Sequence, residues 1–526
     1  MPKTNIVLTG FMGTGKTTIG RLMAEKLNYE FIDTDQLIEE QIGCTIAEFF
    51  RVKGEAAFRK LEAELAQELS HREGLVISTG GRMLLDPVNA AALNKRGRVF
   101  CLVATPEEIL QRVAKDGNVR PLLQVSNPLE HIVELMQQRE KGYKRFSQLE
   151  TTEKHPVVIA GELAEFVQGK RDVRLEISAP TLDYEFIVGS GILPFVTSLA
   201  KIDGPAVIIT DESVAPLYAQ SCGMIDTVIA VPPGRQHKTL ATAQLIYEQL
   251  LDADFDRSGT IIALGGTVIS ELAGFVAATY MRGVDCVQCP TSLLAMVDTS
   301  IGGKVGVDLP QGKNLIGAFK QPKTVIADVA TLQSMPPRAF ASGMAEVIKH
   351  SLIADSDLLQ KIESGNWIHT AGELQQQASE LQALVAQAIQ VKINIIQEDP
   401  YDQGRRAVLN FGHTFANAIE RLSHHEIRHG EAVAMGMVAA IHLSHNLGFC
   451  AKQLQERVES VLTETGLPTR IPANLRPEQL IQAMSSDKKK KAGKLRYVLI
   501  RSSGDVFVTD QVPEAALLNT LTALRG

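Results

Sequence analysis

The sequence predicts an α/β protein in three parts: a parallel sheet with helices on both faces, a second Rossmann-like α/β segment, and a mainly helical carboxyl-terminal portion. Three observations carry that expectation. A complete Gly10-Phe-Met-Gly13-Thr-Gly15-Lys16-Thr17 cradle follows the apolar run Ile6–Leu8. Short apolar strands alternate with helical periodicities to about residue 170, and the alternation resumes after a reset at Gly169-Lys-Arg-Asp172. From about residue 338 strand signals vanish, and helical spacing dominates until the strand-like Leu495–Arg501. At roughly 150 residues per domain, the 526 residues predict three or four domains. Their boundaries fall at 1–170, 174–337 and 338–526.

In the first part, strands are expected at Ile6–Leu8, Phe31–Ile32, Leu75–Ile77, Val99–Val103 and Val157–Ile159. The glycine-rich turn after the first lets backbone N–H groups converge on a phosphate chain, with the next helix adding its N-terminal dipole. Gly13, Thr14, Gly15, Lys16, Thr17 and Thr18 thus form a candidate ATP site. Lys16 reaches toward the β/γ-phosphates and the Thr17 hydroxyl toward Mg²⁺. Asp33 and Asp35 follow the second strand; alternation places both carboxylates on one face, pointing into the crevice at the strand ends. Asp33 is the Mg²⁺-side candidate and Asp35 the acceptor of a substrate hydroxyl's proton. This is a P-loop kinase pattern, and it occupies only the first third of the chain.

The second part begins with Glu185–Val188 and Gly189-Ser-Gly191, and continues through Val207–Thr210, Thr227–Val231, Thr260–Leu264 and Val284–Cys289. Leu264-Gly265-Gly266-Thr267 lies between strand and helix, where a pyrophosphate can sit, although it is not a G-x-G-x-x-G. The loop-rich stretch Pro290–Lys304, with Asp298, Gly303 and Lys304, and then Lys313-Asn314, suits an anionic, hydroxylated substrate. Glu346, His413 and His429 match the ligand set of a catalytic zinc site with an open position. His425-Glu426-Ile-Arg-His429 is a formal H-E-x-x-H, but Gly430 and polar neighbours argue against a buried protease helix. Cys286-Val-Gln-Cys289 has no second pair to complete a zinc site and reads as core filling.

Bulk properties exclude several classes. A net charge of −7 argues against nucleic acid as a partner. No apolar run is long enough for a membrane span, nothing at the amino terminus resembles a signal peptide, and six cysteines without framework spacing fit a reducing cytoplasm. The run Lys488–Lys491 is a solvated loop or a phosphate grip.

The first 165 residues resemble shikimate kinase. The cradle, Asp33-Thr-Asp35, Gly54-Glu-x-x-Phe58-Arg59, Ser78-Thr-Gly80-Gly81, Arg120-Pro-Leu-Leu and Arg139 occur in that family's order and spacing. The resemblance implies that Asp35, Arg59, Gly81 and Arg139 hold shikimate, with both arginines on its carboxylate, and that Arg120 closes over ATP from a mobile lid. Two places depart: Arg82 replaces a glycine, and Glu140-Lys-Gly-Tyr143 replaces Pro-Leu-Tyr.

From about residue 174 onward the chain resembles 3-dehydroquinate synthase. The carriers are Glu271–Gly283, Pro290–Lys304, Gly312–Phe319, Ser342–Lys349, Leu409–Phe415 and the run from His429. The resemblance implies Zn²⁺ (or Co²⁺) on Glu346, His413 and His429. It implies NAD⁺ on Asp211, Lys238, Gly265, Gly266, Thr267, Glu271, Thr291, Ser292, Lys304, Lys313, Thr331, Leu332 and Ser334. It implies the heptulosonate phosphate on Asp298, Lys304, Lys313, Asn314, Lys349, Lys392, Arg406, Asn410 and Lys488, and a homodimer through this half. Asn417, Arg235, Asp402 and the trio Thr267, Ser270 and Glu271 depart from the family's usual residues. The expected protein is a bifunctional enzyme of aromatic biosynthesis. Lys16, Asp35 and Arg120 are its catalytic candidates in the kinase, and Lys349 and Asn410 in the synthase. The alternatives are a different sugar-phosphate cyclase, or a non-catalytic dimerisation module, in the second half.

Overall fold

The computed structural model describes residues 4–526 apart from 116–126, 144–145, 169–171, 180–181, 223–224, 226, 355, 366, 368–376, 425 and 486–494. Arg120, Lys488 and His425 lie outside the described residues. The chain forms two compact units. One is Met1–Asp172 with Ile192–Asp203 and Gln220–Asp226; the other is Val173–Gly191, Gly204–Ala219 and Thr227–Gly526.

Unit one is a five-stranded sheet of β1 (Asn5–Gly10), β2 (Glu30–Asp33), β3 (Leu75–Ser78), β4 (Gly97–Val103) and β5 (Ser147–Glu150), in the order β2-β3-β1-β4-β5. All its pairings are parallel. Both faces of β1 are buried, as its unbroken apolar run requires. The expected strand at Val157–Ile159 is instead the first turn of helix Pro156–Val167: Pro156 sits at a helix start, and the His155 ring caps the Val157 N–H. The fifth strand is the shorter Ser147–Glu150. Asp35 is also corrected, because β2 stops at Asp33. Asp35 lies in the first turn of helix Thr34–Ile42, whose N-cap is Asp33. Helix Ile46–Leu69 breaks at Gly54, whose φ of 80° no β-carbon-bearing residue adopts cheaply, re-aiming the turn that carries Glu55, Arg59 and Glu62.

Unit two holds a seven-stranded sheet in the order β6-β7-β14-β11-β10-β8-β9. Its strands are β6 (Asp172–Ala179), β7 (Leu182–Gly189), β8 (Ala206–Asp211), β9 (Thr227–Val231), β10 (Thr260–Gly265), β11 (Asp285–Pro290) and β14 (Thr324–Asp328). From β7 to β9 its pairings are parallel. Where the loop-rich stretch ends, an unforeseen antiparallel hairpin begins, β12 (Lys304–Leu309) with β13 (Gly312–Phe319). Cys286 and Cys289 are buried in β11 and form no disulfide, as core filling requires.

The carboxyl-terminal part is helical, closing with the hairpin β15 (Tyr497–Ser502) and β16 (Asp505–Thr509) and helix Glu514–Ala523. Helices Pro337–Ala354, Ala378–Glu398, His413–Leu422 and His429–Asn446 share one large apolar core. Glycines set their closest approaches. A β-carbon on Gly436 would strike the carbonyl of Gly412, and one on Gly430 would strike the backbone of Ser342. No helix among the described residues is long and apolar enough to cross a membrane.

Candidate active sites

In unit one the strand ends open onto a cleft of about 1240 Å³, lined by Gly13 to Ile19, Asp33, Asp35, Arg59, Gly81, Arg82 and Arg139 among others. Gly10, Gly13 and Gly15 all have positive φ, so the cradle's shape depends on glycine. Lys16 Nζ donates to the carbonyls of Gly10 and Phe11, both at 2.9 Å, folding back over the loop. Thr17 Oγ1 donates to Asp33 Oδ2 at 2.9 Å, so hydroxyl and carboxylate sit together where a hard cation needs oxygens. Burial pushes the Asp35 carboxyl up to about 6, and neighbouring Asp33 adds to the effect.

On the acceptor side, Arg59 bridges Glu55 at 3.0 Å and Glu62 at 2.6 Å. Arg82, which takes a glycine's place, pairs with the same Glu55 at 2.8 Å and joins Arg59, Arg112 and Arg139 in lining the cleft. Tyr143 donates to the carbonyl of Gly81, keeping one feature of the otherwise altered 140–143 segment. Arg139 stacks over Phe11, 5.2 Å from the ring centroid. Sequence reasoning passed over Arg112, which donates to the Thr151 carbonyl at 2.6 Å and reaches the Gly13 carbonyl at 3.5 Å. Its only signal was a cation one turn after Glu108.

In unit two, Glu346, His413 and His429 converge, their ligand atoms all within 4.8 Å of one another. Helix Pro337–Ala354 brings Glu346, and helices starting at His413 and His429 bring the imidazoles, their rings 5.4 Å apart. The Ser342 hydroxyl accepts from the Gly430 N–H at 3.0 Å, fixing His429 one helical turn from Glu346. Both carboxylate oxygens of Glu346 are buried and meet no hydrogen-bond donor in good geometry. Oε1 instead faces His413 Nε2 at 3.7 Å and His429 Nε2 at 3.6 Å, and Lys349 forms an ion pair with Oε2. A buried carboxylate whose Oε1 faces two imidazole nitrogens fits a divalent cation. Burial opposes the charge on Glu346, but Lys349 and the two histidines outweigh it and hold the group well below its usual range. Burial likewise opposes charge on His429, yet its pairing with Glu346 and Glu420 pushes the imidazole up to about 9. The H-E-x-x-H reading fails, because Glu426 precedes the helix that His429 opens.

Around this centre the anticipated lysines are present, each tied to a carboxylate. Lys304 pairs with Asp402 at 2.6 Å and Lys392 with Asp298 at 2.6 Å. Lys313 pairs with Glu420 at 2.5 Å. Arg406 is buried and donates to the Pro400 carbonyl at 2.8 Å, while Asn410 donates to Ala407 at 3.2 Å. Asn417 lies one turn beyond His413 on the same helix.

On the sheet side, Gly265 ends β10, and Gly266 is the N-cap of helix Thr267–Thr279, which Thr267 opens. Buried Lys238 binds Glu271 and Asn314 and lies 3.1 Å from Asp308. Asp211 caps its own turn at Ser213 and Val214. Thr291 N–H bonds the Gly265 carbonyl, and Ser292 accepts from Ala295. Thr331 and Ser334 bond within their own turn, and Leu332 is buried core. Asp308 and Glu420 were not foreseen; isolated acidic residues carry no signal until a fold supplies their partners.

By fold and geometry the molecule is a small-molecule kinase joined in one chain to an α/β enzyme with a Glu-His-His metal constellation. The shikimate kinase family model matches residues 12–168, and the amino- and carboxyl-terminal models of 3-dehydroquinate synthase match 228–342 and 343–490. The 3-dehydroquinate synthase of Symbiobacterium thermophilum is 41% identical over 354 residues, covering 65% of this chain and 98% of that protein. That of Synechocystis sp. is 44% identical over 292 residues, covering 55% and 80%. A 2-deoxy-scyllo-inosose synthase solved with carbaglucose-6-phosphate, NAD⁺ and Co²⁺ shares the fold of the second half. Its TM-score is 0.59 at 24% identity, over 67% of this chain and 99% of that one. ValA, a 2-epi-5-epi-valiolone synthase from Streptomyces hygroscopicus solved with NAD⁺ and Zn²⁺, has a TM-score of 0.60 at 24% identity, over 66% and 98%. The chain belongs to the 3-dehydroquinate synthase family and carries a shikimate kinase domain ahead of that part, which makes it a bifunctional enzyme of the shikimate pathway.

Proposed function

We propose that unit one phosphorylates the 3-hydroxyl of shikimate from ATP and Mg²⁺, and that unit two converts 3-deoxy-D-arabino-heptulosonate 7-phosphate to 3-dehydroquinate using NAD⁺ and Zn²⁺ or Co²⁺. The observation that carries the first reading is the Thr17–Asp33 pair beside the cradle, with Asp35 and the arginines across the cleft. Gly13 to Thr18 hold the phosphates, Thr17 and Asp33 the cation. Asp35 accepts the proton of the acceptor hydroxyl, while Arg59 and Arg139 hold the acceptor's carboxylate and Gly81 also contacts the acceptor. Lys16 leaves the loop carbonyls to offset charge on the transferred group.

The second reading is carried by the buried Glu346 carboxylate facing His413 and His429. When bound, the metal supplies Lewis-acid polarisation of a substrate hydroxyl, and the dinucleotide takes and returns a hydride. Lys349, Lys392 and Arg406 orient the anionic substrate, with Asp298 holding Lys392 in place. Asn410 completes the polar wall. Lys238 and Glu271, at the glycine turn after β10, belong to the dinucleotide side. The retained cationic set is the reason to prefer the heptulosonate phosphate over another cyclase substrate or a silent module. The reading extends to a cytoplasmic homodimer formed through the synthase half, and to domains ending near residues 170 and 337. Assaying both reactions on full-length protein tests it. Consumption of ATP with shikimate but no phosphate release from the heptulosonate phosphate would sink the second activity.

A further inference from the structure

Glu420 has no place in the site as read from sequence. It is buried on helix His413–Leu422, seven residues beyond one proposed metal ligand and facing another. Its Oε1 lies 2.6 Å from His429 Nδ1, and its Oε2 accepts from Lys313 Nζ at 2.5 Å. The opposite ring nitrogen of His429, Nε2, is the one facing Glu346 Oε1 at 3.6 Å. A carboxylate receiving one imidazole N–H fixes both tautomer and ring plane, leaving the other nitrogen's lone pair aimed at a cation. Lys313 sits on hairpin strand β13, which begins at Gly312. One carboxylate therefore joins the hairpin's cation to an imidazole of the metal constellation.

We propose that Glu420 is a positioning residue of the synthase site: it orients His429 toward the metal and, through Lys313, ties the β12–β13 hairpin to the metal centre. This rests on the metal reading above. A site that held its cation by Glu346 and two unassisted histidines would not need it.

The test uses the full chain, loaded with zinc alone in competition with a chelating indicator. E420A is expected to weaken zinc binding about 10–100-fold. In E420Q the amide oxygen still accepts from His429 without a charge, so the loss should be roughly 3–10-fold. K313M removes the hairpin tie together with a cation expected to contact the substrate, so the tie itself is read from zinc affinity. The variant should leave zinc affinity within about threefold while raising KM for the heptulosonate phosphate, since single tethers of this kind shift populations rather than coordination. Shikimate phosphorylation by the same preparations reports that the chain has folded. Unaltered zinc affinity in E420A and E420Q overturns the proposal. Should E420A fail to fold, unaltered affinity in E420Q alone does so. Failure of the metal reading is seen separately: zinc binding by the parent chain would then be absent, or indifferent to H413A.

Discussion

Arg235 donates through Nε to Asp308 at 2.8 Å, which commits a guanidinium at the edge of the proposed dinucleotide site. Asp308 also lies 3.1 Å from Lys238 and accepts from the Asn314 N–H at 2.8 Å. An arginine there invites comparison with sites that hold a ribose 2′-phosphate. Its partner argues the other way, because the charge is already matched. NAD⁺ is therefore expected to bind the parent chain more tightly than NADP⁺. D308N should narrow that preference about tenfold by freeing Arg235, an effect of the size expected for one charge-assisted contact. Dissociation constants for the two dinucleotides check this.

Asp35 gives the kinase a pH signature. Its carboxyl titrates near 6 because burial, then Asp33, disfavours the charged form. If the ionised group takes the hydroxyl proton, kcat/KM for shikimate should rise as pH climbs through about 6 and level off above it. D35N should lose most activity, and its residual rate should lack that limb.

The same shift bears on stability. A carboxyl whose folded pKa lies above its ordinary value of 3.8 favours folding as the neutral acid. That contribution is complete below about pH 4 and is lost as pH rises through 6. D35N is thus expected to melt above the parent at about pH 7.5, and the two to converge near pH 4. Calorimetric scans at the two pH values decide it.

The two chemistries should separate cleanly. K16A should cut phosphoryl transfer about 10²–10³-fold and leave the synthase reaction alone, while H413A should do the reverse. Dialysis against a chelator, followed by return of Mg²⁺, should abolish only the synthase reaction. Zinc or cobalt should restore it.

Gly430 is a packing constraint beside a proposed ligand. A methyl group there would collide with the Ser342 backbone, so helices Pro337–Ala354 and His429–Asn446 would have to part. G430A is expected to cost about 2 kcal/mol or more in chemical denaturation and to weaken zinc binding, since Glu346 and His429 ride on those two helices.

Much of this was legible in the sequence because it is local. The Gly10–Thr17 cradle specifies its own turn, and the buried parallel strands announce themselves as unbroken apolar runs. What escaped depends on context. Val157–Ile159 has the composition of a strand, yet His155-Pro156 starts a helix, and the cap outweighs β-propensity. The β12–β13 hairpin hid because its glycines and lysines resemble a loop; only pairing across the turn makes it a ribbon. Asp35 left the strand because Asp33 caps the following helix. Glu346, His413 and His429 could be named as ligand types, but only crossing helices bring them together. Glu420 and Asp308 could not be named at all, since their meaning lies entirely in partners distant along the chain.

The lysines of the synthase cleft come with their own counter-ions: Lys304 with Asp402, Lys313 with Glu420, Lys392 with Asp298 and Lys349 with Glu346. An anionic ligand entering there does not fill a vacant positive hole. On the proposed reading it must compete with carboxylates the protein already holds, so long-range attraction is muted and discrimination falls to contact geometry. On the same reading, Asp298 and Asp402 released from Lys392 and Lys304 become free bases beside the ligand, and the act of binding itself changes which acids and bases the reaction has at hand.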